Sequence, residues 1–157
     1  MFALVLAAAI ALAGGCAGRA PAPEPAPAMA GSEVAAVRGT LEQWRQAYEV
    51  RSVEALARLY AAGDDVVVVV EGAATRGASA VTAALTERLG RAKDVRVRFR
   101  EVAVTRLGEA GASVWARMSR EVSDGVTTVA EEGVVTLALR RDGAAWKIVA
   151  EHFSYTR

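Results

Sequence analysis

The chain of 157 residues has one cysteine and one histidine. A single Cys excludes an intrachain disulfide, and one Cys with one His cannot complete the usual zinc quartet. Neither sign of charge dominates: 19 basic side chains stand against 18 acidic ones, for a formal net charge of +1. The chain as a whole therefore has no field to gather nucleic acid or anionic lipid. Only four prolines occur, all between positions 21 and 27. No apolar run reaches the roughly twenty residues that a bilayer requires. No metal, nucleotide or flavin motif is visible, so no cofactor is expected. What the chain does have is hydrocarbon. Apolar residues make up 53% and charged residues 24%, enough to fill the core of one domain.

The first residues read as an address and a tether. Phe2–Ala13 is an unbroken apolar run followed by Gly14, Gly15 and Cys16. Its length suits the core of a signal peptide over residues 1–15. Small residues ahead of a lone Cys resemble a bacterial lipobox, in which Cys16 is lipidated; the alternative is an ordinary Cys after a cleaved secretory signal. Residues 16–31 form a linker whose alternating Pro21, Pro23, Pro25 and Pro27 favour an extended polyproline spacer. The expectation is a lipid-anchored protein of the bacterial envelope, at the outer membrane facing the periplasm, since Ala17 follows the Cys.

The folded domain is expected over 32–157. Ser32 and Glu33 offer an acidic, cappable helix start. Val37, Leu41, Trp44 and Tyr48 then recur at helical spacing. A short second helix follows over about 53–61, and Gly63-Asp64-Asp65 ends it. Val66–Val70 reads as a strand, 71–77 as a turn-rich connection, and 79–89 as a third helix stopped by Gly90. Four alternating strands come next, over about 95–106, 112–122, 126–141 and 145–155. Asp124-Gly125 and Asp142-Gly143 are hairpin turns. This order predicts an α+β fold in which helices cover one face of a curved antiparallel sheet and enclose a pocket.

The ending Arg140-Arg141-Asp142-Gly143, Trp146, Ile148 and His152-Phe153-Ser154 resembles the closing hairpin of SnoaL-like proteins of the nuclear transport factor 2-like superfamily. Tyr48, the Leu59–Ala62 stretch before Asp64-Asp65, and Arg76-Gly77 stand where that family has equivalents. The resemblance spans 33–157. It implies the cone-shaped fold, which often dimerises through its sheet, and hence a homodimer. Two departures are a last hairpin one residue longer than usual and Arg51-Ser52 where an acidic residue is common.

Strand register places the candidate site. A two-residue loop at Asp124-Gly125 sets Arg117 opposite Glu132 and Trp115 opposite Val134. A three-residue loop, Asp142–Ala144, sets Val134 opposite His152 and Glu132 opposite Ser154. Side chains alternate between faces, so Trp115, Arg117, Glu132, His152 and Ser154 share one, with Trp146 and Ile148. The rival two-residue loop at Asp142-Gly143 pairs Leu137 with Ile148 and puts Glu131, not Glu132, beside Ser154; a one-residue slip flips a whole face. The three-residue version absorbs the extra Ala. Moreover, Val114–Ser119 resembles a strand of the calcium/calmodulin-dependent kinase association domain, a relative with a pocket Arg at the place of Arg117. Val135, Leu137, Leu139, Val149 and Phe153 then face outward, as an interaction surface.

In that arrangement Arg117 suits a carboxylate and His152 can bind or move a proton. Trp44 and Tyr48 form the pocket wall. The favoured function is a non-catalytic pocket for a small, partly apolar, carboxylate-bearing ligand, held by Arg117, His152, Trp115, Glu132, Tyr48, Trp44 and Ser154. The bland counterpart is an internal Arg117–Glu132 ion pair with a structural His152. A second reading is a cofactor-independent isomerase, dehydratase or cyclase using His152, Glu132 or Asp65 as acid or base. A third is a dimerisation or interaction module of the cell envelope. Turn formation and helix termination account for Asp64 and Asp65 better than a base at the pocket mouth does. Arg96, Arg98 and Arg100 read as the wet side of a strand, with no nucleic-acid partner expected.

Overall fold

The computed structural model describes residues 28–156; the signal peptide, Cys16 and most of the linker lie outside the described residues. Helix α1, Gly31–Glu49, buries Val37, Leu41, Trp44 and Tyr48, the row that the spacing marks. Ala30, not Ser32, caps it. The Glu33 carboxylate accepts from the Ala30 N–H at 3.3 Å and pairs with Arg106 and Arg141, which ties the helix start to the sheet. Helix α2, Val53–Ala57, is short; the Ser52 hydroxyl accepts from the Ala55 N–H.

Strand β1, Val67–Val70, turns straight into β2, Ala73–Arg76. The connection expected over 71–77 is thus a hairpin. Val70 pairs with Ala73, leaving Glu71-Gly72 as a two-residue loop. Both loop residues have positive φ, +50° and +83°, as the tight primed turn demands. Helix α3, Ala78–Arg91, buries Val81, Leu85 and Leu89 and runs through Gly90 instead of ending there. Strands β3, Asp94–Leu107, β4, Gly111–Ser123, β5, Thr128–Asp142, and β6, Ala145–Thr156, form the long meander. The six strands lie in the order β2-β1-β6-β5-β4-β3, with β1 parallel to β6 and all other neighbours antiparallel. Helices α1 and α3 cover one face of this sheet, so a core of aliphatic and aromatic side chains fills the space between them.

The last two hairpins and a bulge in β6 set the phase of the strands that carry the site. The β4–β5 loop has four residues, Asp124–Thr127, because Ser123 pairs with Thr128. The Asp124 carboxylate accepts from the Val126 and Thr127 N–H groups at 2.8 and 2.7 Å and holds the turn. Arg117 is therefore opposite Val134, and Glu132 opposite Ser119. A shift of two leaves the faces as the two-residue loop would have them. In the last hairpin Asp142 pairs with Ala145, so the loop is Gly143-Ala144, with Gly143 at φ +57°. This is neither of the two registers expected. Leu139 pairs with Ile148 but Ala138 with Ala150, which leaves Val149 as a one-residue bulge.

That bulge decides what is inside. Before it, Trp146 and Ile148 point into the core; after it, Glu151, Phe153 and Tyr155 do. Val135, Leu137 and Leu139 also point inward, and each is buried. The outward apolar face expected of Val135, Leu137, Leu139 and Phe153 does not exist, because those residues are the core.

Gly133 marks the closest approach of β5 and β6. A Cβ there would stand 2.0 Å from the Ser154 carbonyl oxygen and 2.8 Å from the Tyr155 Cα, both backbone atoms. The strands would have to part. Gly133→Ala is expected to cost about 2 kcal/mol, read as a lower urea midpoint at unchanged slope.

Candidate functional site

The cone holds one set of convergent polar groups, and four elements deliver it. Trp44 and Tyr48, one turn apart on α1, lie with ring centroids 4.2 Å from each other. Phe99 and Phe153 close on Trp44 at 5.9 and 5.8 Å. Tyr60 follows α2, and its segment is stitched to β6 by reciprocal backbone bonds: Ala61 N–H to the Ile148 carbonyl and Ile148 N–H to the Leu59 carbonyl. The Val149 bulge turns Glu151 toward these rings, where it is 1% exposed.

One oxygen of Glu151 takes every bond the site supplies. The Trp44 indole N–H donates to Oε2 at 3.1 Å. The Tyr60 hydroxyl donates to the same atom in a short hydrogen bond. Oε1 has no partner among the described residues, and neither do the buried hydroxyls of Tyr48 and Tyr155. Buried polar atoms are nearly always satisfied, so three unpartnered ones in one cone are out of the ordinary. Beyond Tyr155 lies a half-buried ion pair, Arg120 to Glu131 at 2.5 Å, with the guanidinium 4.9 Å over the Tyr155 ring.

Burial lifts the Glu151 carboxyl from its ordinary 4.5 to about 7, against the pull of its bonds from Tyr60 and Trp44 and of the charges of Arg88 and Arg120. Near neutral pH it can give or take a proton. Burial, reinforced by the Glu151 charge, drives the Tyr60 hydroxyl well above its usual range. Burial acts the same way on Tyr48 and Tyr155. All three phenols therefore remain donors.

The residues marked from the sequence fall into two groups. Trp44 and Tyr48 are in the cone. Trp115, Arg117, Glu132, His152 and Ser154 do share a face, but it is the outer one, away from the helices. Arg117, Glu132 and Ser154 line a shallow groove there. Trp115, 37% exposed, and His152 flank Thr136 in the neighbouring row. The placement of these five in the pocket is corrected by the sheet itself, whose concave side carries the alternate row. Trp146 and Ile148 are separated from them by the Val149 bulge and lie inside. Asp65 is exposed and paired with Arg140 at 3.0 Å, so it takes no part in the cone's polar cluster. Arg117 pairs with Glu101, not Glu132.

Glu151, Tyr60 and Tyr155 escaped the sequence reading. One signal for Glu151 was present: a carboxylate among residues otherwise apolar or destined for the core, one position from the His-x-Ser ending. The bulge, which no residue type announces, hid its direction.

Residues 37–157 match the SnoaL-like domain family, and the chain belongs to it. The fold is nuclear transport factor 2-like, as solved structures show. A proposed dehydratase of that family from Streptomyces avermitilis is 20% identical, with a TM-score of 0.74 over 80% of this chain and 97% of the other. A proposed scytalone dehydratase from Novosphingobium aromaticivorans is 15% identical, with a TM-score of 0.73 over 80% and 85%. A hexachlorocyclohexane dehydrochlorinase of the second type is 13% identical, with a TM-score of 0.70 over 80% and 86%. No curated protein matches the chain.

Proposed function

We propose that the cone binds a small, largely apolar molecule carrying a carbonyl or hydroxyl group, and that Glu151 exchanges a proton with it. The observation that carries this reading is Glu151 itself: a buried carboxyl poised near pH 7, with one oxygen fixed by Trp44 and Tyr60 and the other unpartnered. A base held by one oxygen is aimed with the other. The Tyr48 and Tyr155 hydroxyls supply donors for oxygen charge that develops as the proton leaves. This supports the acid/base reading over the non-catalytic one, which depended on Arg117 lining the cone. The proposed dehydratases and the dehydrochlorinase among the structural neighbours are named for eliminations, reactions that need such a base. In the same proposal, Cys16 and the proline-rich spacer display the domain from the bacterial envelope.

Deuterium uptake at the α-carbons of cyclohexanone and acetophenone, followed by NMR in heavy water, tests the reading. The protein should accelerate uptake, with a rate that rises through about pH 7 as the carboxylate forms. Glu151→Gln should lose about 100-fold. Equal rates with protein, variant and buffer alone would remove the base from consideration.

A further inference from the structure

On the side of the sheet opposite Glu151, a groove of about 220 Å³ is lined by Arg100, Arg117, Ser119, Glu132, Ser154 and Thr156. The register builds it in two rows. Arg100, Arg117, Val134 and Ser154 lie abreast across β3 to β6, and Ser119, Glu132 and Thr156 lie abreast in the next. Rows on one face are two residues apart, about 7 Å along the strand.

The first row sets two guanidinium-bearing residues directly opposite each other, a pairing that is locally unfavourable. The β3 ladder then breaks at a bulge where Glu101 takes φ +52°, a conformation that a non-glycine residue adopts only at a cost of order 1 kcal/mol. There the Glu101 carboxylate meets Arg117 at 3.2 Å. Arg100 makes no ion pair among the described residues, and neither does Glu132 in the second row. An unpaired cation and an unpaired anion thus line one groove without meeting, with the hydroxyls of Ser119, Ser154 and Thr156 among them. Like-charge opposition and a left-handed Glu are local conflicts of the sort that concentrate at binding sites.

We propose that this groove binds a small zwitterion of the amino-acid type, its carboxylate between Arg100 and Arg117 and its ammonium group against Glu132. Guanidinium forks fit a carboxylate through paired N–H donors. Glu132 repels a plain anion and the arginines repel a plain cation, so the groove selects for a molecule that carries both charges. The inference does not depend on the proton chemistry of the cone.

Calorimetric titration of the full chain with three molecules of similar size tests it: β-alanine, propionate and ethylammonium. β-Alanine should bind saturably and at least about ten-fold more tightly than either singly charged probe. Arg100→Gln and Glu132→Gln, both exposed and so compatible with folding, should each weaken it about ten-fold, and the double variant should be weaker than either single one. Sedimentation of the same samples reports self-association. Three outcomes would each overturn the proposal: propionate binding as tightly as β-alanine, β-alanine binding equally to wild type and both variants, or no saturable β-alanine binding to the wild type, whether or not it self-associates through this face.

Discussion

Replacing Glu151 by Gln is expected to abolish the loss of stability that this carboxyl imposes on the wild-type protein between about pH 5 and about pH 8. In the unfolded chain this carboxyl titrates near its ordinary 4.5; in the folded protein burial raises it to about 7. The folded state therefore holds a proton that the unfolded state releases, and rising pH favours unfolding across that interval. The contribution is fully present below about pH 4.5 and lost once the pH passes about 7. A shift of that size corresponds to about 3 kcal/mol. The substituted amide keeps an oxygen to accept from Trp44 and Tyr60 but cannot ionise. Urea unfolding of both proteins at the two pH values gives the comparison, since other groups titrate alike in each. The variant should gain about 3 kcal/mol on the wild type at the higher pH relative to the lower. If the difference between the two proteins is the same at both pH values, the carboxyl is not buried as described.

The largest loss of stability is expected from Trp44→Ala. The indole is fully buried, touches Tyr48, Phe99 and Phe153, and is one of two donors to Glu151. Removing a buried Trp side chain costs about 3–5 kcal/mol through lost burial and the cavity left behind. Losing one of the two hydrogen bonds to Glu151 Oε2, with Tyr60 still donating to it, adds about 1 kcal/mol. Against a total stability of about 5–15 kcal/mol for a domain, the variant should lose between a third and nearly all of its stability. Trp44→Phe separates the two causes. It keeps most of the ring and loses only the donor, so it should fold, cost about 1–2 kcal/mol, and move the pH dependence upward, because the indole bond lowers the Glu151 pKa. Circular dichroism during urea and pH titrations measures both effects. A Phe variant with an unmoved pH profile would show that Trp44 fills space without holding the carboxylate.

The sequence was most legible where periodicity and burial agree. The α1 face is read directly from Val37, Leu41, Trp44 and Tyr48, since a helix has no way to change phase within four turns short of a kink. The four long strands were legible for the same reason, to within two residues at most ends. Register was harder. Asp124 holds its turn by accepting from N–H groups two and three residues on, so the loop is two residues longer than Asp-Gly suggests, yet the parity survives. Val149 is different. Nothing in an aliphatic run distinguishes a paired residue from a bulged one, and the one extra position exchanges His152 with Glu151 as the inward group. The outer constellation of Arg117, Glu132 and Ser154 could be assembled from parity alone. Which side of the sheet the helices would cover could not, because both rows of β5 and β6 contain apolar residues.

The chemistry of this sheet is thus keyed to a count. Were Val149 taken into the ladder instead of bulged out of it, Ala138 would face Val149 and Val135 would face His152, carrying the imidazole beneath the helices and the carboxylate out into water with no change of sequence. A strand on this scaffold can therefore trade what it carries inside for what it carries outside by making or losing one bulge, without inventing a new side chain.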